Sequence, residues 1–117
     1  AALRALGEFD NPRLLRIRLS WGANLRKLGR FREARAVLDE ASAHGRAKLG
    51  AGHLRVAEGE VELARLDLAE GGPGASDRAR EHLAAAEAIA ATKTPSPSFT
   101  RNLAAARSEL AASARHP

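Results

Sequence analysis

A spacing pattern of small and large apolar residues occurs twice along the chain. A shift of 42 residues places Trp21-Gly22 on Leu63-Ala64 and Gly29 on Gly71, and a shift of 45 residues places Ala34, Leu38 and Ala41 on Ala79, Leu83 and Ala86. The three additional residues fall in the glycine-rich segment 71–75, where an insertion costs little free energy. Repetition of this length predicts stacked structural units. Leu25 aligns poorly with Asp67, which leaves two registers open for the third helix.

The apolar residues are of kinds that favour helices. The chain of 117 residues holds 27 Ala and 16 Leu but only three Val and two Ile, and aromatic residues make up 3 %. Alanine and leucine are strong helix formers, whereas β-branched and aromatic residues favour strands. The composition therefore predicts an all-α domain spanning the chain.

Apolar residues three and four positions apart predict five helices. Four of them are expected at about 12–28, 31–47, 54–70 and 98–114, and the fourth in chain order is expected to open at Ser76 or Asp77 and to reach Ile89 or Ala90. Residues 1–6 resemble the last turn of a preceding helix, and because residue 1 is not Met, we expect a processed end or a longer polypeptide. The first two helices are separated by only one or two residues and must therefore fold back antiparallel.

Polar and breaking residues mark the helix ends. Asn11 is the expected N-cap of the first helix, Ser76 or Asp77 that of the fourth, and Ser96 or Ser98 that of the fifth. In the first helix, one face is predicted to enter the core. Its residues are Leu14, Ile17, Trp21, Leu25 and Leu28.

The stretch from Trp21 to Ala41 resembles the tetratricopeptide repeat family. The resemblance lies in the spacing of Trp21-Gly22, Leu25, Gly29, Phe31, Ala34, Leu38 and Ala41. It implies that Gly22 and Ala34 allow two helices to touch, with Trp21 and Leu38 filling the space between them. The long spacing is similar to the variant found in kinesin light chains and many bacterial regulatory proteins. Another array of antiparallel helical hairpins is the alternative.

The resemblance implies a right-handed solenoid that binds a protein or peptide. Repeat 1 would cover about 12–47, repeat 2 about 54–91, and a terminal capping helix about 98–114. The groove positions carried over from the family are Arg16, Leu19, Ala23, Arg26 and Lys27 on the first helix, and Glu58, Val61, Arg65, Leu68 and Ala69 on the third. The first set is cationic, so we expect an acidic partner segment. Self-association, including a homodimer, is the first alternative.

Other classes of function have little support in the sequence. The chain has no Cys, and none of its four His has the helical spacing of a metal site, so we expect no enzyme activity and no cofactor. His82 is expected to be solvated, and Arg35 to pair with Asp39. Residues 1–50 carry a net charge of +6, which leaves a nucleic-acid-contacting module as the second alternative.

No targeting or membrane-spanning segment is recognisable in the sequence. The first residues do not form a charged region followed by an apolar core. No apolar run approaches the roughly 20 residues of a membrane span. Together with the absence of Cys, these features predict a cytoplasmic location.

Overall fold

Five α-helices joined by short turns make up the computed structural model, which describes residues 12–115. In chain order they are α1 (Pro12–Lys27), α2 (Phe31–Leu49), α3 (Leu54–Glu70), α4 (Ala75–Ala90) and α5 (Pro97–Arg115). Residues 12–115 contain no β-strand. The prediction of an all-α chain is confirmed, and each helix begins and ends within two residues of its expected bounds. The predicted helical turn at 1–6 and the Asn11 cap lie outside the described residues.

Capping residues and glycines in the turns account for where the helices begin and end. The backbone N–H of Phe99 donates to Ser96 Oγ at 3.1 Å, which makes Ser96 the N-cap of α5. Gly29 separates α1 from α2 with a φ of 78°, a left-handed conformation that favours glycine. The predicted caps of α4 are wrong, because that helix begins at Ala75 directly after the left-handed Gly74.

Each helix packs against the next one along the chain. In addition, α1 contacts α3 and α3 contacts α5, so that α3 touches the other four helices. Consecutive helices run antiparallel, whereas α1, α3 and α5 run in the same direction. This order brings alternate helices together on one face of the molecule.

Two apolar clusters hold the helices together, and α3 contributes to both. The first joins α1, α2 and α3 and consists of Leu15, Leu19, Leu25, Ala34, Leu38, Ala41, Leu63 and Leu66. The second joins α3, α4 and α5 and consists of Ala57, Val61, Ala64, Ala79, Leu83, Ala86, Phe99, Leu103 and Ala106. The residues aligned by the shift of 45 are therefore core residues in both sequence units. They are Ala34, Leu38 and Ala41 in the first unit and Ala79, Leu83 and Ala86 in the second.

Helices α1 and α2 lie close together at Gly22. A Cβ atom added there would overlap the side chain of Leu38, which is completely buried. At this separation of the two helices, only a glycine at position 22 leaves room for the Leu38 side chain. The expectation that Gly22 allows the two helices to touch is confirmed.

The predicted core face of α1 is wrong for most of its members. Ile17, Trp21 and Leu28 are 61 %, 55 % and 69 % exposed, and only Leu25 of the predicted face is fully buried. A second apolar stripe, which includes Leu15, Leu19 and Gly22, faces the core instead. The physical reason is the Gly22–Leu38 contact, which turns this side of α1 toward α2 and leaves Trp21 outside.

We predict that Gly22→Ala destabilises the protein because its added methyl group displaces Leu38. Overpacking of a core typically costs about 1–3 kcal/mol, measurable as a lower urea midpoint. Gly52→Ala is the matched control, since nothing lies within 4 Å of a Cβ at that position. A loss of stability as large in Gly52→Ala as in Gly22→Ala would contradict this account of the α1–α2 contact.

Candidate functional site

The face formed by α1, α3 and α5 contains a cleft of about 760 Å³. The cleft follows the N-terminal halves of these three helices. From α1 and α3 it is lined by Arg16, Leu19, Ser20, Ala23, Leu54, Arg55, Glu58 and Glu62, and from the α5 side by Thr94, Ser96, Ser98, Phe99 and Asn102. His53, which precedes α3, completes the lining and caps that helix, because its Nδ1 accepts the N–H of Arg55 at 3.0 Å.

A second cleft, of about 790 Å³, follows the first along α3. It is lined by the C-terminal halves of the same helices and by the glycine turn before α4. The side chains on this lining are more apolar, and they include Leu68, Ala69, Ala75 and Ala112 together with Arg26, Arg65 and Glu109. We call the two the first and second clefts.

Most of the groove residues predicted from the sequence lie on these clefts. Four line the first cleft and four line the second: Arg16, Leu19, Ala23 and Glu58, then Arg26, Arg65, Leu68 and Ala69. Val61 lies in the core with no exposed surface, so it presents nothing to either cleft. Lys27 is exposed at the end of α1 and lines neither cleft.

A polar bridge between α3 and α5 separates the clefts. The Arg65 guanidinium donates to both Glu109 carboxylate oxygens, at 3.0 and 2.8 Å, and to Asn102 Oδ1 at 2.6 Å. Asn102 Nδ2 in turn donates to Glu62 at 2.8 Å. This chain of hydrogen bonds links α3 to α5 in addition to the apolar contacts between the two helices.

Burial perturbs two charged groups beside this bridge. It raises the pKa of Glu62 above its ordinary value, despite the opposing hydrogen bond from Asn102. It lowers the pKa of Arg26, with a further contribution from the like charge of Arg65. Both residues keep buried polar atoms with no hydrogen-bond partner among the described residues, namely Oε1 of Glu62 and Nε and Nη2 of Arg26.

The charge on the face is unevenly compensated. Glu58 pairs with Arg55, and Glu109 pairs with Arg65. Arg16 and Lys27 form no ion pair with any residue in the range 12–115. The face therefore retains positive charge along α1, where the sequence placed it.

A separate polar cluster between α2, α3 and α4 was missed by sequence reasoning. Two carboxylates of α3, Glu60 and Asp67, are 3 % and 0 % exposed, and His82 of α4 lies against both. The expectation that His82 is solvated is wrong. The sequence does contain a signal for this cluster. Asp67 aligns with the core residue Leu25 of the other sequence unit, so a carboxylate occupies a core position.

Both ring nitrogens of His82 face a carboxylate. Nδ1 lies 2.6 Å from Glu60 Oε2, and Nε2 lies 3.5 Å from Asp67 Oδ2. Only the protonated imidazolium carries an N–H on both nitrogens. The hydrogen bond with Glu60 raises the pKa of His82 and outweighs the opposing effect of burial.

Arginines complete this cluster from the neighbouring helices. Arg35 of α2 donates to Asp67 Oδ1 at 2.6 Å and to Glu70 at 3.0 Å, so its expected pairing with Asp39 is wrong. Arg46 donates to Glu60. Burial acts to raise the pKa of Glu60, but the hydrogen bond and charge of His82 and the charge of Arg46 lower it. The cluster thus ties α2 and α4 to α3.

The chain matches no known protein-family model, no curated protein and no solved structure. Within residues 12–115, no set of three or more His, Asp or Glu side chains is arranged to hold a metal ion. None of the helices in that range has both the length and the apolar character needed to cross a membrane.

We predict that the His82 cluster makes stability depend on pH. Because the folded pKa of His82 is raised, its contribution is complete below the unfolded value of about 6.5 and is lost as the pH rises through the folded value. Hydrogen bonds to charged groups are worth about 1.5–3 kcal/mol, and urea denaturation at a series of pH values measures the loss.

His82→Gln is the control for this prediction, since it keeps one donor but does not titrate. We expect the difference in unfolding free energy between the wild type and this variant to shrink as the pH rises. A difference that stays constant with pH would show that the imidazolium does not stabilise the cluster.

Proposed function

We propose that the chain is a non-catalytic protein-interaction module built from stacked helical hairpins of the tetratricopeptide type. The packing of each helix on its neighbour, and of α1 on α3 and α3 on α5, supports this arrangement. The two units also bury equivalent residues, such as Leu38 and Leu83. In such an array, alternate helices line a common binding surface.

The binding surface is the face that carries the two clefts. The proposal depends on one observation. Helices α1, α3 and α5 together form an open groove along the length of α3, with both polar and apolar side chains in its lining. Arg16 lines the first cleft, the charge of Lys27 at the end of α1 acts on Glu62 of that cleft, and apolar side chains such as Leu68 line the second cleft. This chemistry suits a peptide segment that has both acidic and apolar residues.

We expect short acidic peptides to bind this face. An array of labelled peptides that differ in their number of Glu and Asp residues provides the probe, and fluorescence anisotropy provides the affinity. Affinity should rise with acidic content. The double variant Arg16→Glu with Lys27→Glu should lose about tenfold or more of it, because reversed charges repel the ligand.

The matched control is Arg32→Glu with Lys93→Glu, which changes the net charge equally at exposed positions off the clefts. It should bind the peptides nearly as well as the wild type. Absence of binding, or an equal loss in the control, would refute recognition on the cleft face. Circular dichroism of each variant establishes that the helices are retained.

A further inference from the structure

One side chain of the first cleft has its hydrogen-bonding role fixed by the backbone. His53 precedes α3, lines the cleft and is exposed. Its Nδ1 accepts the backbone N–H of Arg55 at 3.0 Å, which satisfies one of the free N–H groups at the start of α3. An imidazole nitrogen accepts only through its lone pair, so Nδ1 carries no proton while this cap is formed.

The cap therefore selects one tautomer of His53. A neutral imidazole holds its single proton on one ring nitrogen, and since Nδ1 is the acceptor, that proton is on Nε2. Within residues 12–115, the His53 ring makes no other hydrogen bond or ion pair. Because the N–H of Nε2 points away from the capping bond, the ring has one unused donor and no unused acceptor.

This tautomer decides what His53 can do in the cleft. A histidine that activates a serine takes the proton with the lone pair of Nε2, while its Nδ1–H donates to a carboxylate. The ring of His53 has the reverse arrangement. It cannot take a proton through Nε2 from the serine hydroxyls that line the same cleft, on Ser20, Ser96 and Ser98. In this cleft the ring acts as a hydrogen-bond donor.

The other polar groups of the first cleft do not supply this donor with a partner. Glu58 is paired on its own helix, and Glu62 accepts from Asn102 at 2.8 Å while its second carboxylate oxygen is buried. The hydroxyls of the lining rotate and can either donate or accept. The exposed groups of fixed polarity that have no ion pair are donors, the ring of His53 and the guanidinium of Arg16. A ligand that meets them must offer acceptors.

We propose that His53 determines specificity in the first cleft by donating its Nε2–H to an oxygen of the bound peptide. That oxygen belongs to a main-chain carbonyl or to a side-chain carboxylate, since both are acceptors. The inference rests on the proposed function, because it needs a peptide in the cleft. It adds the residue that fixes the polarity of recognition at the start of α3, where a donor of the peptide would face another donor.

The tautomer is tested in the free protein. Nitrogen–proton correlation spectra of the isotope-labelled chain distinguish a protonated from an unprotonated ring nitrogen, and His53→Asn assigns the His53 signals by their loss. At mildly alkaline pH, we expect an unprotonated Nδ1 and a protonated Nε2. A spectrum with the proton on Nδ1, or with the proton shared equally between the two nitrogens, would overturn the proposal without bearing on whether the clefts bind a peptide.

Two variants separate donation from capping. Asparagine is a preferred N-cap residue that keeps an acceptor at the place of Nδ1 and has no donor at the place of Nε2, so His53→Asn should keep the urea midpoint of the wild type, whereas His53→Ala should lower it. Both should bind the highest-affinity peptide of the acidic array about threefold or more weakly, because one hydrogen bond is lost. His44→Asn makes the same replacement on α2, off both clefts, and should leave binding unchanged.

A second peptide, with Gln and Asn in place of Glu and Asp, identifies the acceptor. A loss in His53→Asn that is larger for the acidic peptide indicates a carboxylate, and an equal loss for both peptides indicates a main-chain carbonyl. Binding by His53→Asn as tight as by the wild type, or an equal loss in His44→Asn, would overturn the proposal and leave the proposed function intact. If no peptide of the array binds the wild type, the proposed function fails and the role of His53 fails with it.

Discussion

Helix α3 packs against all four other helices, and this enclosure fixes which of its side chains are buried. Five of its residues, Ala57, Val61, Ala64, Leu66 and Asp67, have no exposed surface, so each of them must fit closely against a neighbouring helix. Its carboxylates are enclosed as well. Because a buried charge is stable only when it is paired, Glu60 and Asp67 require donors from the helices beside them. The arginines of α2 and the imidazolium of His82 are those donors.

The candidate binding face is a consequence of the same enclosure. Helices α1 and α5 flank α3 in parallel and leave the two clefts between them. The bridge from Glu62 through Asn102 and Arg65 to Glu109 holds α5 at its distance from α3. The core, the charge cluster and the groove therefore all contain residues of α3. A change in the packing of α3 would alter all three.

Equivalent positions in the two sequence units have different surroundings. Leu63 is enclosed because α2 packs against it, while Trp21 at the corresponding position is 55 % exposed. The residues themselves are alike in being large and apolar. The difference comes from the neighbour, because a stacked unit buries a face only where another helix covers it. Cover by a neighbouring helix, and not the type of residue, therefore decides the burial of these two positions.

Local sequence is enough to predict the helices, their approximate bounds and the small residues at the helix contacts. These features follow from local propensity, from capping at residues such as Ser96 and from the spacing of Ala and Leu. Packing between helices selects which of two apolar stripes of α1 enters the core, and it brings Arg35 and His82 to the carboxylates of α3. Such choices depend on contacts between residues far apart in sequence, for example Gly22 with Leu38 and Asp67 with Arg35, and a local pattern carries no information about them.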